Sequence, residues 1–85
     1  MLWMTRYDKH ADLVNRMAET LGVDLAEEML KGNLPPQEIR STVMACMGCG
    51  EPGACAEWLE AHPEGSEAAP HYCRNKDRFE ALASF

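Results

Sequence analysis

Three of the four cysteines fall within ten residues, in the stretch CMGCGEPGAC from Cys46 to Cys55, and the fourth is Cys73. The spacing is C-x2-C-x5-C-x17-C. Four thiolates is the number that both a tetrahedral zinc site and a cubane iron–sulfur cluster require. Two readings without metal compete. Free cysteine is often buried as a small hydrophobe, which suits Cys46 on an apolar stripe. It does not suit Cys49, which sits between Gly48 and Gly50 in a loop. A thioredoxin-like pair from Cys46 and Cys49 would need a helix N-terminus to lower a thiol pKa. Here the pair ends a helix, where the dipole disfavours a thiolate. Cys55 alone begins one, which leaves a slow disulfide switch through Cys55 as a minor alternative.

Zinc and iron–sulfur chemistry are harder to separate. Four thiolates leave the same net charge around Zn²⁺ and around an oxidised [4Fe–4S]²⁺ core. CMGCG resembles the CxxCG knuckle of zinc ribbons and rubredoxins, but no second CxxC follows. GCGEPGA surrounds the sulfurs with small residues, leaving room for a cubane and for backbone N–H groups to approach its sulfides, a recognised control on cluster potential. The C-x2-C-x5-C portion also resembles the iron–sulfur loop of the endonuclease III and adenine glycosylase family, which carries one further cysteine upstream. That cysteine would fall at Ile39, so Cys73 must supply the fourth ligand here. The similarity implies a cluster geometry and no DNA repair.

The leading expectation is therefore one iron–sulfur cluster, [4Fe–4S], held by Cys46, Cys49, Cys55 and Cys73, for electron transfer or redox or oxygen sensing. Trp58 and Tyr72 would shield it from water. The alternative is a structural Zn(Cys)4 site in a protein-interaction module with no redox role. His62 and His71 stand near the motif as alternative ligands in place of a cysteine, although both read more simply as surface residues beside prolines. His10 lies on the first helix, away from the motif.

A longer resemblance runs from RYDKHADLVNRMAETLGVDL through the cysteine loop to CAEWLEAHP and HYCRNKDRF. Nearly the full length is similar to a family of short alphaproteobacterial proteins known as a domain of unknown function. The resemblance implies a free-standing cytoplasmic protein and supplies no activity.

The elements that must position the cysteines read as helices. Tyr7, Ala11, Val14, Met17, Ala18 and Leu21 form one stripe of a helix from about Tyr7 to Leu21, with Gly22 placed to end it. Asp24 and Glu27 have capping-box spacing for a short second helix whose apolar face is Leu25, Ala26, Met29 and Leu30, stopped at Gly32. Pro35-Pro36 opens a third, with Ile39, Val43 and Cys46 on its inner stripe and Met47 beside it. Pro52 starts a fourth, with Trp58 and Leu59 facing the core and Pro63 ending it. PEGSEAAP, residues 63–70, is a turn-rich connection. Asn75 could cap a last helix, KDRFEALASF, with Phe79, Leu82 and Ala83 on one face. No segment alternates as a strand does and no repeat is present. The expected fold is all-α, a single domain over residues 1–85 of four to five short helices around a four-cysteine loop.

Composition narrows the function classes. At 85 residues, small domains commonly need a metal or disulfide staple. Fourteen acidic against eight basic residues give a formal charge of −6, which argues against nucleic acid and anionic membranes and suits a protein partner. MLWMTRYDKH has no basic n-region or apolar core of a signal peptide, and no apolar run approaches a membrane span. A cytoplasmic location follows, where cysteine clusters more often mean metal or redox chemistry than disulfides. No nucleophile–base–orienter set and no phosphate-cradling glycine loop is found, and Glu57, Glu60 and His62 read as a solvated helix face. The expectation is a protein that is not an enzyme.

Overall fold

The computed structural model describes residues 5–83. Five helices follow one another: α1 (Arg6–Thr20), α2 (Leu25–Leu30), α3 (Pro36–Met47), α4 (Pro52–Ala61) and α5 (Lys76–Ala83). No strand occurs among the described residues, and the fold is all-α as the periodicity predicts. MLWM at the start and Ser84 and Phe85 of the last expected helix lie outside the described residues.

Local chemistry explains each helix end. Thr5 and Asp8 form a reciprocal capping box: Asp8 N–H donates to Thr5 Oγ1 (3.0 Å), and Thr5 N–H donates to Asp8 Oδ2 (3.2 Å). The helix thus begins at Arg6, one residue before the periodicity places it. At its other end Gly22 has φ +82°. Its N–H donates to the Glu19 carbonyl, and the Val23 N–H donates to that of Ala18 (2.8 Å). This is a Schellman stop, with buried Val23 and Ala18 supplying its apolar contact. Asp24 caps α2 through the Glu27 N–H (3.1 Å), and Gly32 and Asn33 close it in the same way as α1.

The core is built by α1, α3, α4 and α5. Met17, Ala18, Val43, Leu59 and Phe79 are buried at its centre. Tyr7, expected on the buried stripe, is exposed. His10 takes its place, because the buried face continues from Val14, Met17 and Ala18 by one helical turn to residue 10. The expected apolar face of α2 is corrected too. No α2 residue is buried, and Leu30 is 89 % exposed. Six residues are too few turns to seat both Leu25, which touches the core, and the side chains beyond it. In α5, Phe79 is 1 % exposed and Leu82 packs beside it, while Ala83 faces outward.

Two polar ties fix the later segments. Ser66 N–H donates to the Thr20 carbonyl (2.9 Å), which docks the 63–70 connection on the end of α1. Buried Asn75 donates from Nδ2 to the Thr42 carbonyl of α3 (2.8 Å). Asn75 still stands at the start of α5, where its carbonyl accepts from the Phe79 N–H, but its side-chain amide serves α3. Thr42, itself buried, satisfies its hydroxyl on the Glu38 carbonyl, as buried polar groups require.

Candidate metal centre

Cys46 lies in the last turn of α3, Cys49 in the loop that follows, Cys55 in the first turn of α4, and Cys73 just before α5. The α3–α4 connection is short because Pro52 starts a new helix at once. The return of the chain before α5 then brings Tyr72 onto this loop, where Cys49 Sγ donates to the Tyr72 carbonyl at 3.8 Å. All four cysteines are half-buried, unpaired thiols that line one cavity. The depression, including its open mouth, holds about 380 Å³.

The remaining walls come from three elements. Helix α1 contributes His10, Leu13, Val14 and Met17, the start of α4 contributes Pro52, and the α5 side contributes Arg74, Asn75 and Phe79. Most of the exposed lining is hydrocarbon. Backbone N–H groups supply the polar complement. Glu51 N–H donates to Cys49 Sγ (3.4 Å), and the Asn75 backbone N–H donates to the Cys73 sulfur. Such bonds stabilise negative charge on sulfur.

The electrostatics of the bare site favour thiols over thiolates. Burial, then the nearby Cys55, Cys49 and Cys73, push the Cys46 pKa up to about 11. Burial followed by Cys73 and Cys49 raises that of Cys55, against a small opposing pull from Arg16. Burial also raises that of Cys73, although the Asn75 N–H and Lys76 pull the other way. Four thiolates crowded into one apolar cavity repel each other, and a cation among them reverses the balance.

Among the described residues no three His, Cys, Asp or Glu side chains converge closely enough to hold a single metal ion. The four sulfurs rim a cavity instead. Neither His62 nor His71 lines it. His62 Nδ1 bonds to the Trp58 carbonyl (2.7 Å) and its ring stacks on Trp58 at 4.1 Å. His71 is exposed and meets Tyr72 edge-on. Trp58 and Tyr72 also do not line the cavity. Tyr72 nevertheless lies within its field, since burial and then Cys55 and Cys49 raise the phenol pKa. The residue that sequence reasoning misses is His10. Expected to lie away from the motif, it lines the cavity, one helical turn before Val14 and two before Met17.

This four-cysteine helical chain can now be set beside known proteins. It belongs to a family of unknown function (DUF6455), matched over residues 1–84. No curated protein and no solved structure matches the chain. The residues matched to DUF6455 include all five helices and the four cysteines of the cavity. Among the described residues no helix is long and apolar enough to cross a membrane.

Proposed function

We propose that this DUF6455 protein binds one iron–sulfur cluster, [4Fe–4S], through Cys46, Cys49, Cys55 and Cys73, and serves electron transfer or redox or oxygen sensing. The observation that carries the reading is four thiols spaced around one apolar cavity. A zinc ion with bonds of about 2.3 Å to sulfur draws its four ligands to roughly 3.8 Å from one another. A cubane distributes its ligands over separate irons and needs a pocket between them, and the four cysteines here line one. The similarity of the C-x2-C-x5-C loop to that of the endonuclease III family supports the same geometry. When bound, such a cluster supplies a one-electron redox couple.

The chain's own residues have separate parts in this role. The four cysteines bind, and the Glu51 and Asn75 N–H groups draw charge from two of the sulfurs. Leu13, Val14, Met17 and Phe79 keep water away, the part assigned from sequence to Trp58 and Tyr72. A protein partner would exchange electrons with the site or read its state. The acidic surface speaks for a cytoplasmic protein partner over nucleic acid or an anionic membrane. No catalytic role is proposed.

The test is a visible absorption spectrum with iron, sulfide and zinc analysis on protein purified without oxygen. The expected result is a brown sample with about four irons and four sulfides per chain. A colourless sample with one zinc per chain would replace this reading with a structural Zn(Cys)4 interaction module.

A further inference from the structure

His10 is a charged-capable side chain buried in the wall of the cysteine cavity, only 8 % exposed. Its Nδ1 lies 2.9 Å from the Arg6 carbonyl. A carbonyl only accepts, so Nδ1 carries a proton, and in the tautomer this bond selects the lone pair lies on Nε2. Among the described residues Nε2 has no hydrogen-bond partner. A histidine whose one nitrogen is pinned to a backbone carbonyl, with the other left as a lone pair, is the arrangement typical of metal-ligating histidines.

The position of His10 is also over-determined. The capping box fixes the start of α1, and Arg6 donates from Nη2 to the Met47 carbonyl (2.7 Å), which ties that start to the end of α3. Cys46, on the same last turn of α3, points its sulfur at the His10 carbonyl (3.8 Å). The His10 backbone and the Cys46 sulfur thus meet, and both residues line the same cavity.

We infer that His10 is a fifth donor of the metal centre, a nitrogen ligand able to take the metal position that Cys46 otherwise fills. This rests on the proposed metal-binding role and deepens it: the site carries four sulfur donors and one nitrogen donor for four positions. Imidazole in place of thiolate removes a negative charge and raises the reduction potential of a cluster. The site therefore has two ligand sets with different potentials built from residues already in place. In such an exchange the Cys46 sulfur would leave as a thiol, taking its proton from water, and His10 Nε2 would donate its lone pair in its place.

The experiment compares wild type with Cys46→Val, which keeps an apolar side chain on the inner face of α3, and with the double variant Cys46→Val/His10→Gln. Each is loaded with iron and sulfide without oxygen, and separately with Co²⁺. Iron content, nitrogen hyperfine coupling in the reduced cluster and the reduction potential are measured, with far-ultraviolet circular dichroism to confirm the fold. Cys46→Val is expected to retain its metal, to show coupling from one imidazole nitrogen and to have a potential above wild type. The double variant should lose that coupling and bind metal at least about tenfold more weakly. Loss of metal from Cys46→Val to the same degree as from the double variant, or retention without nitrogen coupling, would overturn the inference. If Cys46→Val does not fold, Cys46→Ser carries the same comparison. Wild type that binds neither iron and sulfide nor Co²⁺ would instead remove the metal centre itself, and His10 with it.

Discussion

What the cysteines do without metal follows from where their protons go. Folded, Cys46 keeps its proton to about pH 11, whereas in the unfolded chain it begins to lose it near the ordinary value of 9.0. Between these values the unfolded state binds fewer protons, so stability falls as pH rises. Cys55 and Cys73 are shifted in the same direction and steepen the fall. Below pH 9.0 the thiols are protonated in both states and contribute no slope. Urea unfolding of the metal-free protein should therefore show a midpoint that drops progressively from pH 9.0 towards 11. The loaded protein, whose sulfurs are already deprotonated and ligated, should lack that drop. A flat metal-free profile would mean that the thiols are solvated and do not share one cavity. The spacing of Cys46, Cys49 and Cys55 was legible as a site because few structural demands place a cysteine between two glycines. His10 was not, because on a helix wheel a histidine at the edge of an apolar stripe looks the same whether it faces solvent or another helix's cysteine.

Among the elements, α5 depends most on the site. It reaches the core through Phe79, meets α3 through Asn75 and through Arg78 on Thr42, and begins three residues after Cys73. Metal bound to Cys73 would tie the start of this helix to the α3–α4 loop, so binding energy would count as folding energy. Cys73→Ser is expected to lower metal content and thermal midpoint together, with hydrogen exchange rising first in residues 74–83. Full metal retention would remove Cys73 from the ligand set. The helices themselves were readable wherever a local device sets them. Gly22 and Gly32 end α1 and α2, and Pro36 and Pro52 open α3 and α4, as their residue types require. What resisted reading were long-range ties: the Asn75 amide crossing to Thr42, the docking of Ser66 on Thr20, and the exposure of α2. Each depends on how neighbouring elements pack, which periodicity within one segment does not encode.

For the molecule as a whole, core and metal centre share side chains, so neither can be disturbed alone. Met17 is 2 % exposed at the centre of the core and also lines the cysteine cavity. A carboxylate at a position this buried would lose its hydration with no ion-pair partner already in place. Met17→Asp is expected to abolish both cooperative thermal unfolding and metal uptake. Met17→Leu conserves volume and should cost less than about 1.5 kcal/mol while leaving uptake intact. Leu30 makes the opposite case. It stands 89 % exposed at the end of α2, and Leu30→Asp should change stability by no more than about 0.5 kcal/mol. Differential scanning calorimetry of the three variants, with and without metal, separates the outcomes. If Met17→Asp remained folded and only lost association with another protein, α1 would be an interface and the shared core would have to be abandoned. Its nearly complete burial between α3, α4 and the cavity argues for collapse. A domain this small has no second core to fall back on.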